Sequence, residues 1–373
     1  MMDRKAISLG HILGIPVGLD YSWFLIFILL TWTLAVGYYP AEFNNWPVSE
    51  YWIVGAATAI MLFVSVLLHE LGHSVVAMRY KIPVRRITLF IFGGISEISS
   101  EPPTAGAQFW ISIAGPVVSF ALAGIFALVQ PAFTSVAPLL ALVKYLVYIN
   151  AALGVFNLIP GFPLDGGGVF MAIVWGLSQN RQRATLIAAN LGRVIAYLFI
   201  LAGVWLAISG NLINGLWIAF IGWFLVSAAA GQVRQVRIEN LLTGHRVSEA
   251  MSRSYTAVPD DTTLQQMVDD HILGAGRRSF IVEHGDEVVG LLTLHHIKEI
   301  PRAKWPMTTA SEAMLSADQF KRIQPDTELW PAMEEMDRDG VNQLPVMTDG
   351  QIVGMLTRED VISYLRTLQE FGT

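Results

Sequence analysis

Cysteine is absent from the 373-residue chain, so neither disulfides nor thiolate metal ligands are available to it. Charged residues are scarce, at 14%, while hydrophobic residues reach 53%, which is too apolar for an ordinary soluble protein. The net charge of −6 argues against nucleic-acid binding, and we predict no such partner. The composition indicates a polytopic membrane protein that is long enough for two domains.

The first residues, Met1 to Pro16, lack the compact apolar core and the small-residue cleavage site of a signal peptide. We therefore expect this segment to be retained. The four residues from Gly14 to Val17 are predicted to form either a short amphipathic segment at the membrane surface or an unstructured lead-in.

Six apolar stretches are long enough to cross a bilayer as helices. They lie near Tyr21 to Tyr39, Tyr51 to Met78, Phe109 to Gln130, Pro138 to Ile159, Ala184 to Ser209 and Leu212 to Ala230. A further apolar piece, Val169 to Leu177, is too short to cross alone and is expected to pack beside the loop that precedes it. The sequence thus predicts a multi-pass protein of the cell membrane with about six transmembrane helices.

Basic residues are missing from the turns after the first, third and fifth spans, at residues 40–50, 131–137 and 210–211. Because short cytoplasmic loops carry an excess of Lys and Arg, both termini are predicted to be cytoplasmic. The same count places His69 and His73 in the cytoplasmic half of the second span. It places Asp165 just beyond the cytoplasmic end of the fourth, so the two regions share one depth.

The second span contains the pattern H-E-x-x-H, from His69 to His73. Residues four apart share one face of a helix, so both histidines can bind one metal ion with Glu70 beside it. Zinc suits imidazole ligands, and three protein ligands leave a position for a water that the metal activates. The pattern also arises by chance in unrelated chains, but ionisable residues at membrane depth by default mark a functional site.

A third ligand is expected from the later segment Asn157 to Gly168, where prolines and glycines interrupt an apolar span. Irregular backbone at membrane depth must line a cavity or pack within protein. Asp165 is the candidate ligand in this loop. The alternative is an ordinary loop in which Asp165 caps the helix that follows.

These two motifs together, H-E-L-G-H and N-x-x-P-x-x-P-L-D-G-G, resemble the site-2 protease family of intramembrane zinc metalloproteases, of the M50 type. The resemblance implies one zinc ion per chain, bound by His69, His73 and Asp165. It implies that Glu70 is the general base and acid and that Asn157 orients the substrate or polarises its carbonyl. The expected activity is that of a metalloendopeptidase that cleaves transmembrane substrate helices near the cytoplasmic face, in regulated intramembrane proteolysis.

The segment between the second and third spans, Val84 to Ile98, is rich in β-branched and aromatic residues around a Gly-Gly turn, which predicts a hairpin. The family resemblance implies that this hairpin dips into the membrane and pairs its edge with an unwound substrate. A surface hairpin without substrate contact is the alternative. Phe92 to Ile95 and Ala114 to Pro116 match further family features more weakly.

The last part of the chain contains a repeat in which Ser248 to Met251 recurs as Ser311 to Met314, and Val289 to Thr293 as Val353 to Thr357. Each copy is predicted to form a strand, a helix, two strands and a helix. This α/β tandem resembles a pair of cystathionine-β-synthase (CBS) domains. The resemblance implies that AMP, ADP or ATP binds between the repeats.

Within the second repeat, the resemblance implies Thr357 and Asp360 as contacts to the nucleotide. In the first repeat His296 occupies the place of that Asp, which departs from the family pattern. The alternative function for the tandem is a dimerisation platform without a ligand, since such pairs often associate. A homodimer through the CBS domains is expected in either case.

Four segments follow from these patterns. Residues 1–237 are predicted to form the transmembrane metalloprotease domain, 238–246 a linker, 247–300 the first CBS repeat and 301–373 the second, with both repeats in the cytoplasm. The predicted partners are a membrane-spanning protein substrate and the lipid bilayer. A second hypothesis, from another functional class, is a CBS-gated transporter or channel in which His69, Glu70 and His73 line an ion path.

Overall fold

The computed structural model describes residues 7–274, 278–285 and 287–371. The chain divides into two compact units, residues 1–236 and 237–373. The finer boundaries of the linker and the repeats stay predictions. The sequence of the first repeat also predicts a turn at His284 to Asp286, and the last residue of that turn lies outside the described residues.

The helices that begin in the first unit account for all six predicted spans. They are α1 (Ser22–Trp32), α2 (Tyr39–Glu42), α3 (Val48–Arg79), α4 (Ala105–Val129), α5 (Ala137–Asn157), α6 (Asp165–Ser178), α7 (Arg181–Ile208) and α8 (Leu212–Leu242). A π-helical segment, Thr33–Tyr38, joins α1 to α2, so that Ser22–Glu42 forms one span. Helix α6 is the short apolar piece that the sequence predicts, and it packs against α4 and α7.

The starts of two helices show how polar side chains set their limits. Thr104 precedes α4 and accepts a hydrogen bond from the main-chain nitrogen of Ala107 at 3.1 Å. Asn180 precedes α7 and accepts one from the nitrogen of Arg183 at 2.8 Å. Each side chain satisfies a donor that the first turn of a helix leaves without a partner, which stabilises the start by about 1 kcal/mol.

A four-stranded sheet belongs to the first unit, with the strand order β1 (Ile7–Ile12), β2 (Ile15–Leu19), β3 (Val84–Phe90) and β4 (Gly93–Ile98). The predicted hairpin is present as the antiparallel pair of β3 and β4. Of the two predictions for Gly14 to Val17, the unstructured lead-in is wrong, because Ile15 to Val17 belong to β2, which pairs with both β1 and β3. The physical reason is the alternation of buried Ile15, Val17 and Leu19, which is typical of a strand.

The second unit contains two sheets, and the first of them takes its last strand from the predicted second repeat, residues 301–373. Strands β5 (Ala257–Pro259), β6 (Ser279–His284), β7 (Glu287–Thr293) and β8 (Leu315–Ser316) form the first, and β9 (Gln343–Thr348) with β10 (Gln351–Thr357) form the second. The helices are α9 (Val247–Ala250), α10 (Leu264–Gln266), α11 (Leu294–Glu299), α12 (Ala310–Ala313), α13 (Leu329–Asp339) and α14 (Arg358–Phe371). Between β9 and β10, Asp349 and Gly350 both have positive φ, as tight hairpin turns require.

Each repeat has its own apolar core. Phe280, Leu292 and Ile297 are fully buried in the core of the first repeat. In the second, Leu344 and Leu356 are buried together with Leu242, the last residue of α8. The final turn of α8 is therefore part of the core of the second repeat.

Candidate metal centre

Helix α3 carries His69 and His73 on one face, and both side chains are buried. Their Nε2 atoms lie 3.3 Å apart. Asp165, the first residue of α6, places its Oδ2 atom 3.0 Å from Nε2 of His69 and 3.3 Å from Nε2 of His73. The structure thus brings together the three residues that the sequence predicts as metal ligands, although 96 positions separate His69 from Asp165.

The loop before α6 delivers Asp165 to this cluster. Helix α5 ends at Asn157, where the nitrogen of Leu158 still bonds the carbonyl of Gly154 at 3.1 Å. The chain then turns, with the nitrogen of Leu164 donating to the carbonyl of Gly161 at 3.1 Å. Asp165 occupies the first position of a new helix, where a carboxylate is favoured by the helix dipole.

The separations among the three ligand atoms match the geometry of zinc. Zinc holds nitrogen and oxygen ligands at about 2.0–2.2 Å in a tetrahedron, so two ligands lie about 3.3 Å from each other. The observed separations are 3.3, 3.0 and 3.3 Å. Two imidazoles and one carboxylate are also a donor set that zinc uses in catalytic sites.

The protonation of His73 also fits a metal ligand. Its Nδ1 atom lies 2.6 Å from the main-chain carbonyl of Ile111. A carbonyl can only accept a hydrogen bond, so Nδ1 carries a proton, and in the neutral ring Nε2 then has the lone pair that a metal needs. His69 has an outer partner at the same ring atom, with its Nδ1 2.8 Å from the hydroxyl of Ser119, which can donate or accept. Outer partners of this kind orient the ligands of metal sites.

Gly115 of α4 leaves open the space that a metal needs. A Cβ atom at this position would lie 2.2 Å from Nε2 of His73 and 2.5 Å from Nε2 of His69. Any other residue would therefore occupy the region between the two imidazoles. Gly115 belongs to the Ala114–Pro116 motif, a weak match to the family in the sequence. Its missing side chain leaves room for an ion between the two imidazoles.

Glu70 lies beside the cluster and contacts the hairpin. Its Oε2 atom is 2.7 Å from the hydroxyl of Ser96 on β4. Gly94, two residues earlier, lies so close that a Cβ atom there would be 2.4 Å from Cγ of Glu70. The candidate general base is thus packed against the candidate substrate-binding strand.

Asn157 is half-buried at the last position of α5. The loop that it begins leads to Asp165, but no contact described in the structure joins its side chain to the cluster. Its role toward the substrate stays a prediction.

Sequence reasoning missed Ser96, Ser119 and the carbonyl of Ile111. Ser119 lies four residues after Gly115, so the helical spacing of α4 would place both on one face. That spacing is the signal from which Ser119 could have been predicted. A main-chain carbonyl carries no identity in the sequence, and the contact of Ser96 depends on the packing of the hairpin against α3.

The second unit holds a cavity of about 850 Å³ that both repeats line. Thr357 and Asp360, the predicted nucleotide contacts, are among its lining residues. The Thr357 hydroxyl donates to Oδ2 of Asp360 at 2.6 Å, at the start of α14. This bond holds the carboxylate at the cavity wall.

The first repeat contributes Thr293 and His296 to the same cavity. The nitrogen of His296 contacts the Thr293 hydroxyl at 3.5 Å, the counterpart of the bond that the nitrogen of Asp360 donates to Thr357 at 3.1 Å. Burial, and then the neighbouring His295, lower the pKa of His296. The two halves of the cavity are therefore chemically different, with a carboxylate in one and an imidazole in the other.

Comparison with known proteins gives matches in both units. Residues 57–137 and 132–202 match peptidase family M50, and residues 247–302 and 311–367 match the CBS domain. Rip3 of Mycobacterium tuberculosis, which is named as a zinc metalloprotease, is 33% identical over 363 residues, covering 96% of this chain and 92% of Rip3. Protein sll0528 of Synechocystis sp., also named as a zinc metalloprotease, is 33% identical over 364 residues, covering 97% of this chain and 96% of that protein.

Among solved structures, the site-2 protease from Methanocaldococcus jannaschii is 31% identical to this chain, with a TM-score of 0.43. The alignment covers 61% of this chain and 95% of that protein.

Proposed function

The chain belongs to peptidase family M50, the site-2 type of zinc metalloprotease, and on that premise we propose that it cleaves membrane-spanning helices of other proteins near the cytoplasmic face. The observation that carries the proposal is the meeting of Asp165 of α6 with His69 and His73 of α3, a helix that is long and apolar enough to span a bilayer. Family membership decides against the gated transporter as the main activity.

The roles within the site follow from the donor atoms. Zinc held by His69, His73 and Asp165 would supply Lewis-acid activation of a water and of the scissile carbonyl. The carboxylate of Glu70 would accept a proton from that water and return it to the leaving amine. Asn157 would orient the substrate from the end of α5.

Presentation of the substrate is the task we assign to β4. The strand order ends at β4 among the described strands, so one edge of it faces away from β3. A helical substrate hides its carbonyls in hydrogen bonds and must unwind before attack. An unwound segment could add to β4 as a further strand. A photo-cross-linker at Ile91, in the turn that leads into β4, should label the substrate, and labelling of lipid alone would contradict this role.

For the orientation, we propose that both termini and the CBS pair are cytoplasmic. The supporting observation is charge: Arg79 ends α3, and Lys81, Arg85 and Arg86 follow it, whereas the turn after α1 and α2 holds no Lys or Arg. Because the chain has no native cysteine, a thiol reagent can label only a cysteine that is introduced. A single cysteine at Asn45 should react with an impermeant reagent from outside the cell, and one at Thr243 should not.

We propose that the second unit binds an adenine nucleotide and associates with a second copy. The cavity that Thr357 and Asp360 line is large enough for a nucleotide-sized ligand. Calorimetry with AMP, ADP and ATP should show binding that Asp360→Ala weakens. No heat with any of the three would leave self-association as the only role of this unit.

The protease proposal is tested with Glu70→Gln. This variant should keep its zinc and lose turnover by about 10²–10⁴-fold, because the neutral amide cannot take up the proton. In membranes that contain only the variant, one uncleaved single-span protein should accumulate, and it identifies the substrate. Equal cleavage by Glu70→Gln would remove Glu70 from the mechanism.

A further inference from the structure

Two serine hydroxyls surround Glu70, and they come from different elements. Ser96 on β4 places its Oγ 2.7 Å from Oε2 of Glu70 and 3.3 Å from its main-chain oxygen. Ser74, one turn later on α3, places its Oγ 2.9 Å from the same main-chain oxygen and 3.3 Å from the Ser96 hydroxyl. One strand of the hairpin is therefore connected to the side chain of the candidate base.

The available protons decide which contacts form. Each hydroxyl has a single proton to donate. Ser74 donates to the carbonyl of Glu70 in the preceding turn, as helical serines commonly do. Ser96 then donates to Oε2 of Glu70, because that contact is the shorter one and a carboxylate is the stronger acceptor. The second carboxylate oxygen, Oε1, remains for another partner.

The backbone of β4 approaches Glu70 closely enough to hold this arrangement. Gly94 and Ser96 are two residues apart and share one face of the strand, while Ile95 between them is exposed. A Cβ atom on Gly94 would lie 3.1 Å from Oε1 of Glu70. The strand itself is anchored, since Ser96 pairs with fully buried Ile87 on β3.

We propose that Ser96 is a positioning residue for the proteolytic reaction. Its hydroxyl holds Oε2 of Glu70 at β4 and thereby fixes the orientation of the carboxylate that takes the proton from the attacking water. Because Ser96 lies on the strand that we assign to substrate presentation, one element places both the base and the scissile bond. This role rests on the proposed endopeptidase function and adds to it the residue that orients its base.

Kinetics of three variants test the role, with the single-span protein that accumulates in Glu70→Gln membranes as the probe. Ser96→Ala should lower kcat by about 10- to 100-fold, the cost of losing a hydrogen bond to a charged group, and leave KM near the wild-type value. Ser96→Thr, which keeps the hydroxyl and suits a strand, should restore most of kcat. Zinc content, measured by elemental analysis, should equal that of the wild type in both variants.

Ser65→Ala is the matched control, because the buried Ser65 hydroxyl bonds only the Met61 carbonyl of its own helix in the described contacts. It should retain wild-type kcat. Wild-type kcat in Ser96→Ala, loss of its zinc, or equal damage in Ser96→Ala and Ser96→Thr would overturn the positioning role alone. A zinc-loaded wild type that does not cleave the probe would instead overturn the proposed function and this role with it.

Discussion

Gly115 faces His73 across a gap that has no room for a side chain: a Cβ atom on Gly115 would lie 2.2 Å from Nε2 of that ring. The same atom would lie 2.5 Å from Nε2 of His69. Zinc binds imidazole nitrogen at about 2.0–2.1 Å, so a methyl group would compete for the position of the ion. Helix α4 thus shapes the metal site without contributing a ligand.

Gly115→Ala should abolish most zinc binding while leaving the helices of the first unit folded. Alanine favours a helix over glycine by about 1 kcal/mol, so the loss would come from the blocked site and not from helix stability. Elemental analysis of the purified protein measures it. Gly124→Ala on the same helix is the matched control, since no atom lies within 4 Å of a Cβ placed there. Normal zinc in Gly115→Ala would contradict the proposed position of the metal.

We predict about one zinc ion per chain in the wild type, and His69→Ala and Asp165→Ala should each lose it, because two protein ligands rarely suffice for a stable site. Elemental analysis of detergent-purified protein checks this prediction. His11→Ala removes an exposed histidine on β1 and should leave the zinc content unchanged. An Asp165→Ala variant that retains full zinc would show that Asp165 is not a ligand.

Ser119→Ala should weaken zinc binding by about 10- to 100-fold, which is the usual effect of removing an outer partner of a ligating histidine. The 2.8 Å contact to Nδ1 of His69 orients that ring, and alanine cannot replace it. Competition with a zinc chelator gives the affinity. Ser65→Ala, which also removes a buried serine hydroxyl, should bind zinc as the wild type does.

The second unit has a predicted pH dependence that centres on Glu249. Hydrogen bonds from His245 and then from Tyr364 lower the pKa of Glu249 to about 2. In the unfolded chain the pKa is about 4.3, so the stabilisation is complete above that pH and is lost as the pH falls toward 2. The cluster is solvent-exposed, so the contribution is below about 1 kcal/mol.

Tyr364→Phe removes one of these hydrogen bonds and should reduce the stability of the second unit at neutral pH. The variant should also lose less stability than the wild type as the pH falls from about 4.3 to 2, because the pKa of Glu249 moves back toward its ordinary value. Thermal unfolding of the purified chain at several pH values measures both effects. Tyr255→Phe is the control, since the Tyr255 hydroxyl donates to a carbonyl that does not titrate. An identical pH dependence in Tyr364→Phe and the wild type would contradict the role of the cluster.

Helical spacing alone was enough to predict that two of the three candidate metal ligands lie together. His69 and His73 share a helix face by the period of the helix alone, so the sequence could pair them. Asp165 is distant in the chain, yet counting basic residues at the span ends placed it at the same depth. Segments of a membrane protein can be assigned a depth in the bilayer, and only residues at a similar depth can meet. The sequence of a soluble protein offers no such restriction on which distant residues come together. The site-2 protease and CBS assignments are confirmed by the family matches.

The parts that sequence reasoning could not reach depend on contacts between distant segments. Ser96 and Ser119 are ordinary serines until the hairpin and α4 pack against α3. The pairing of β2 with β3 connects residues 17–19 to residues 87–89, with two spans between them. Such pairing is decided by the packing of the whole unit and not by local composition.

The burial of Leu242 in the core of the second repeat limits where the chain can be divided. Ile238 and Leu241 pack against the same core, so three residues near the end of α8 cover apolar side chains of the second repeat. A soluble fragment that begins at Val247 would leave these side chains uncovered and expose apolar core to water. A fragment that begins at Arg237 would keep the core complete. Biochemists who wish to study nucleotide binding apart from the membrane should therefore retain the end of the spanning helix.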